Sequence, residues 1–144
     1  ADFGEISIMS MYLPSGTNIE RLEHKLMYMA DFRQYVDGLK KTNPNLIVLG
    51  DYNICHEARD IHNPVGLKNV SGFLPVEREW IGDFIDSGFV DSFREFNSEP
   101  DNYTGWRLDY AMVASTLKER LLRSVILSEA KHSDHCPILI ELDS

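Results

Sequence analysis

Asp51 with Asn53, Asp109, and the adjacent Asp134-His135 are the residues of this sequence whose types combine into chemistry. Each lies at or just beyond the end of a stretch that reads as a strand, and strand ends in open α/β sheets are where ligands usually bind. Asp51 and Asn53 are two apart, so both can project the same way from a chain leaving a sheet. Carboxylates, an amide and an imidazole at successive strand ends suit metal-assisted hydrolysis. Carboxylate oxygens are hard ligands for Mg²⁺. An imidazole moves a proton near neutral pH once a carboxylate orients it, and Asp109 is the candidate to orient His135. Each signal alone is weak. Asp-His adjacency is common, and Asp51-Tyr52-Asn53 also reads as ordinary turn chemistry.

Other chemistry-bearing residues point less clearly. Tyr12 stands at a strand end, where a packed aromatic with a wet hydroxyl is the ordinary reading. Cys55-His56 and His135-Cys136 could supply four soft ligands to zinc, but their spacing matches no zinc pattern. Cys136, before Pro137, reads better as a small buried apolar residue. Arg59, Lys68, Arg107 and Lys131 are candidates for a local basic rim, with a solvated surface charge as the plainer reading of each.

The elements that must position these groups follow from periodicity. Leu46-Ile47-Val48-Leu49 is a buried strand, which Gly50 is expected to break. Residues 5–12 read as a strand apolar enough on both faces to be internal. Residues 19–42 read as an amphipathic helix, with Ile19, Leu22, Leu26, Met29, Phe32 or Arg33, Val36 and Leu39 on its apolar stripe. Asn18 is its candidate N-cap, and Met27, Tyr28 and Met29 read as core. Residues 63–73 have no period and read as a loop of functional length. A second helix follows Pro75 over 76–87, burying Trp80, Ile81, Phe84 and Ile85 and stopped by Gly88. Residues 89–96 read as a short strand or a turn of helix, and 97–104 as a polar turn. A strand over 108–114, a short helix over 116–122 capped by Ser115, and strands over 124–127 and 138–142 complete an alternating α/β order.

With 144 residues the chain can hold one domain with one core. A net charge of −9 argues against non-specific affinity for nucleic acid, but not against a nucleic-acid enzyme whose carboxylates hold a divalent cation. No apolar run approaches the roughly 18 residues of a membrane span, and residues 1 onward do not read as a signal peptide, so none is expected. Two cysteines make no disulfide framework, so a reduced, cytoplasmic compartment of bacterial type is expected.

GDYN at 50–53, SGFLPVEREW at 71–80, GWRLDY at 105–110 and SDHCP at 133–137, in that order, resemble the exonuclease III family of abasic-site endonucleases, with Tyr12-Leu13-Pro14 similar to the tyrosine motif before them. The resemblance spans essentially the whole chain. It implies the DNase I-like four-layer α/β sandwich, here mainly its C-terminal half, and Mg²⁺-dependent cleavage of duplex DNA at abasic sites, with Mn²⁺ as an alternative ion. It leaves 3′-exonuclease activity open, and it implies a full-length protein that is monomeric and not membrane-bound. Carried over by residue, it puts Tyr12 at the scissile phosphate and Asp51 and Asn53 around the attacking water. Asp109 then pairs with His135, and Asp134 joins Asp51 and Asn53 in the metal site. Either Asp51 or His135 could be the base. Trp106 and Leu108 wall the pocket for a flipped-out abasic sugar, and Asn63 and Lys68 touch the DNA backbone. The alternatives are another phosphodiesterase or phosphatase of the same superfamily, acting on inositol phosphate, phospholipid or RNA, or a non-catalytic DNA-binding fragment.

The sequence departs from the family in two places. The family's N-terminal part, with a metal-binding glutamate, has no counterpart among residues 1–144, and a loop is missing between Thr104 and Gly105. Residues 1–144 alone are therefore expected to be inactive, and strands such as 46–49 and 138–142 to leave one apolar face uncovered.

Overall fold

A computed structural model describes residues 1–99 and 105–143. Its larger sheet has five strands in the order β1-β2-β3-β5-β4, where β1 is Asp2–Phe3, β2 Ile6–Tyr12, β3 Leu46–Asp51, β4 Phe89–Asp91 and β5 Asp109–Ala114. A second sheet pairs β6, Leu121–Ile126, with β7, Ile138–Leu142. Among the described residues only β2 and β3 run parallel, joined by the crossover helix α1, Ile19–Leu39. Helix α2, Pro75–Asp86, and the short α3, Ser92–Phe96, flank β4.

Strand alternation sorts the core into two layers. Leu46 and Val48 of β3, with Tyr110 and Met112 of β5, pack under Met29, Phe32 and Val36 of α1 and Ile81 and Phe84 of α2. Ile47 and Val113 face the other way, onto Leu117 of the turn after β5 and Leu121, Ile140 and Leu142 of the second sheet. Helices, sheet and second sheet are thus stacked as expected for part of an α/β sandwich. Leu46, Ile47 and Val48 are buried on both faces, contrary to the expectation of an uncovered face, because the β6–β7 hairpin covers Ile47. In β7, Ile138, Ile140 and Leu142 remain half-buried.

The structure corrects several expectations. Gly50 does not break its strand: β3 continues through it to Asp51. Its φ is +143°, and a Cβ there would lie 1.9 Å from the Met11 carbonyl oxygen, so glycine lets β2 and β3 approach. Strand β2 is internal only because a two-residue strand pairs with its start. Ile19, Met27 and Tyr28 are exposed, whereas Lys25 fills a core position on the face of Met29, Phe32 and Val36. Asn18 caps α1 through its side chain, but the helix ends at Leu39. Residues 89–96 form both a strand and a helical turn. Ser115 opens a 3₁₀ turn, Ser115–Arg120, without capping it, and β6 starts earlier than expected. Of the polar turn over 97–104, residues 100–104 lie outside the described residues, and with them the junction before Gly105 where a loop was expected to be missing.

Candidate active site

Strand register builds the site. Asp51, the last residue of β3, pairs with Tyr12, the last of β2, on one side and with Asp109, the first of β5, on the other. Three side chains from distant sequence positions are thus set at one level of one sheet edge. Beyond Asp51 the chain turns through Asn53, whose φ of +49° is a conformation asparagine tolerates better than most residues. That turn brings the Asn53 amide back onto Asp51. Its backbone N–H donates to Asp51 Oδ1 at 2.8 Å, and its Nδ2 to Asp51 Oδ2 at 3.0 Å and to the Leu13 carbonyl at 2.8 Å.

His135 arrives from the loop before β7. Its Nδ1 lies 2.7 Å from Asp109 Oδ2, so the expected pairing is present in the geometry. The Asp109 hydrogen bond raises the His135 pKa above the ordinary imidazole value, against a smaller opposing effect of burial. Burial raises the Asp51 pKa, partly offset by the backbone N–H of Asn53. Ligand atoms of Asp51, Asp109 and His135 lie within 4.8 Å of one another. Neither cysteine belongs to that group, Cys55 is buried, and its thiol is pushed by burial up to about 12, so the zinc alternative gains no support. Asp134 is exposed beside His135 and accepts a 3.2 Å bond from the Ser133 hydroxyl. It does not join the three-residue group, but with Asp109 and His135 it lines an open cleft of about 760 Å³.

The same cleft is walled by Trp106 and Leu108, with Phe93 and Ile126 opposite in sequence origin. Trp106 leans on Gly72, where a Cβ would come within 2.8 Å of the indole, and both Trp106 and Leu108 pack against Ile61 and Phe73. Tyr12 is 60% exposed and borders a separate hollow with Arg21 and His24. Asn63 and Lys68 are exposed on the 61–73 segment, away from the carboxylate cluster in sequence, and Asn63 Oδ1 accepts from the Gly66 N–H at 3.0 Å.

Two buried ionic clusters stand behind the site, and sequence reasoning missed both. Lys25 meets Glu77 at 2.6 Å, each side chain fully buried. Arg107 bonds Asp60 at 2.8 Å and Asp91 at 2.7 Å, and Arg94 also reaches Asp60. Arg107 is therefore no part of a basic rim. It sits under the segment that carries Trp106 and Asp109 because two buried carboxylates hold it there. Arg59 pairs with Glu57, whereas Lys68 and Lys131 stay exposed. The available signal was a lysine at an apolar-stripe position of α1.

Comparison with known proteins bears on the family and the fold. Residues 6–135 match the model of the Endonuclease/Exonuclease/phosphatase family. A DNA repair nuclease of Danio rerio is 36% identical over 157 residues, covering 99% of this chain and 50% of that protein. An exodeoxyribonuclease of Bacillus subtilis is 32% identical over 152 residues, covering 95% of this chain and 60% of its own. The chain thus spans about half to three-fifths of the length of these relatives. Among solved structures, a 3′-5′ exonuclease from Neisseria meningitidis superimposes with a TM-score of 0.90 at 23% identity, over 97% of this chain and 62% of that one. An AP endonuclease from Archaeoglobus fulgidus gives 0.86 at 24%, over 96% and 62%. At these identities the two structures speak for the fold.

Proposed function

The chain belongs to the endonuclease/exonuclease/phosphatase family, and from that premise we propose that it is the C-terminal part of a single-domain, Mg²⁺-dependent nuclease that cuts duplex DNA at abasic sites. The observation that carries the reading is the row Tyr12, Asp51, Asp109 across three strands, closed by His135 on Asp109. Names of relatives that include DNA repair nuclease, exodeoxyribonuclease and AP endonuclease support DNA as the substrate. Exonuclease activity at 3′ ends is a second activity within the same reading, as is a reduced intracellular setting for the two free cysteines.

The donor chemistry fits a hard divalent cation. His135 Nδ1 and Asp109 Oδ2 are spent on each other, which leaves the carboxylate oxygens of Asp51, with the Asn53 amide beside them, and Asp134 on the cleft that Asp109 and His135 line. Asp51, Asn53 and Asp134 would hold the ion, which when bound supplies charge neutralisation at the phosphate and the leaving oxygen.

This chain's own groups do the rest. Asn53 fixes both oxygens of Asp51, so the carboxylate meets an attacking water in one orientation. Asp109 holds the His135 ring, leaving Nε2 to face the phosphate and move or share a proton. The Tyr12 hydroxyl contacts a phosphate oxygen. Trp106 and Leu108 receive the sugar that lacks a base, and the apolar wall disfavours an intact nucleotide. Asn63 and Lys68 touch the backbone further along the duplex.

The test is cleavage of a duplex with one abasic site by the full-length protein, with Mg²⁺, with Mn²⁺ and with EDTA, against the same duplex intact. Metal-dependent cutting confined to the abasic position is expected. Equal cutting of both duplexes would remove abasic specificity. Inertness on DNA together with hydrolysis of an inositol phosphate, a phospholipid headgroup or RNA would move the chain to another branch of its family.

A further inference from the structure

Lys25 occupies a position where the pattern of α1 calls for an apolar residue, four before Met29 and on its face. It is fully buried, and a buried ammonium is costly unless it is paired and hydrogen-bonded. Its ζ-nitrogen donates to Glu77 Oε1 at 2.6 Å and to the backbone carbonyl of Asn53 at 2.8 Å. Glu77 is itself anchored at the start of α2. It accepts from the Gly72 N–H at 2.6 Å, the Leu74 N–H at 3.0 Å and the Ser71 hydroxyl at 3.1 Å. Asn53 is thereby held at three points: its N–H on Asp51, its side chain on Asp51 and Leu13, and its carbonyl on Lys25. The third hold comes from outside the turn and ties it to both helices.

We propose that Lys25, braced by Glu77, is a positioning residue that fixes the Asp51–Asn53 turn through the Asn53 carbonyl and so sets the orientation of the Asn53 amide in the reaction. The proposal rests on the role given to Asn53 above. A hydrophobic residue at position 25 would fill the same space between the helices but offer the carbonyl no donor. Removing one buried partner alone strands the other charge, so packing and positioning must be separated by changing both. The double variant Lys25→Met/Glu77→Gln is neutral, keeps an acceptor oxygen for the Gly72 and Leu74 N–H groups, turns its amide NH2 toward the Ser71 hydroxyl oxygen, and removes the donor to Asn53 together with the ion pair. Ile81→Val loosens the buried face of the same helix without touching the pair.

In the full-length protein acting on abasic duplex with Mg²⁺, the double variant is expected to lose about ten- to a hundredfold in kcat, the scale of a misplaced catalytic group, with KM within about twofold. Ile81→Val should keep the parental kcat below its melting temperature. A double variant that folds and keeps kcat within about twofold overturns the proposal, as does an equal loss in Ile81→Val. Should the double variant not fold, the unaltered protein decides: a slowly exchanging Lys25 ammonium with scalar coupling to the Asn53 carbonyl carbon is expected by NMR, and a missing coupling overturns the contact. That spectrum also separates the two readings. If the parental protein cuts no DNA, the nuclease reading fails, whereas the coupling still reports whether Lys25 holds the turn.

Discussion

The Asp109 carboxylate and the His135 ring meet at 2.7 Å although 26 positions separate them, one on the first residue of a strand and the other on a loop. Because the hydrogen bond raises the His135 pKa, the folded value lies above the unfolded one. The pair therefore stabilises the fold fully below the unfolded value near 6.5, and the contribution fades as pH rises through the folded value. Asp109→Asn should bring the His135 titration, followed by NMR of its ring protons in metal-free protein, down toward the ordinary value. A His135 pKa that does not fall would mean that Asp109 does not set it.

Asp51→Asn and His135→Ala should each lower kcat by about a hundredfold or more in the full-length protein while leaving DNA affinity nearly unchanged. Groups that act only in the transition state lower kcat and kcat/KM together. Steady-state kinetics beside a DNA-binding titration checks this, and a His135→Ala protein cutting at the parental rate would take His135 out of the reaction.

Gly50→Ala tests the register that sets the row. The added methyl would meet the Met11 carbonyl at 1.9 Å, from a φ of +143° that alanine avoids. Strands β2 and β3 would have to part, and with them Tyr12 and Asp51. A loss of more than about 3 kcal/mol is expected, from the strain and the lost packing together. A melting temperature within a few degrees of the parent would show that the sheet edge yields more easily than its geometry implies.

How far the sequence could be read depended on where each interaction lives. The apolar run Leu46 to Leu49 and the stripe Met29, Phe32, Val36 are local, so strand and helix were legible, as were the residues at their ends. Their types at successive strand ends suggested that Asp109 orients His135, and the resemblance implied the same pairing. What periodicity could not show was the partner of a buried charge. Lys25 looked like one more polar residue of a helix, and Arg107 like a surface cation. Their burial depends on Glu77, Asp60 and Asp91, which are 52, 47 and 16 positions away. Gly50 misled for a related reason: as a single residue it signals a break, and only the neighbouring Met11 backbone shows that it keeps the strand intact.

Trp106 should report on Gly72. With φ at +95° and a would-be Cβ 2.8 Å from the indole, Gly72→Ala strains the turn and pushes the ring. A destabilisation of about 1–3 kcal/mol and a shifted tryptophan emission are expected. Trp106→Ala should spare the fold more, because the ring is only partly buried, and narrow the preference for abasic over intact duplex. Unchanged selectivity would exclude Trp106 from the sugar pocket.

The Arg107 cluster makes a prediction about acid. Burial alone would raise the Asp60 pKa, but hydrogen bonds and charge from Arg107, with help from Arg94, win and hold it below the ordinary value. A carboxylate depressed in the folded state gives stability that is present above its unfolded value, near 3.9, and lost as pH falls through the folded value. Arg107→Met removes the guanidinium between Asp60 and Asp91, whose carbon lies 4.3 Å from the Tyr110 ring centroid, and keeps an apolar stem of similar length. At neutral pH it leaves buried carboxylates short of a partner, a loss of about 3–5 kcal/mol. In the variant, burial acts on Asp60 with less opposition, so protonation relieves the defect. The parent should thus lose stability between about pH 5 and pH 3, the variant should lose less, and their melting temperatures should converge. Melts of both proteins across that range decide the matter: a gap as wide at pH 4 as at pH 7 would show that Arg107 supports the fold through packing against Phe93 and Tyr110 and not through its charge.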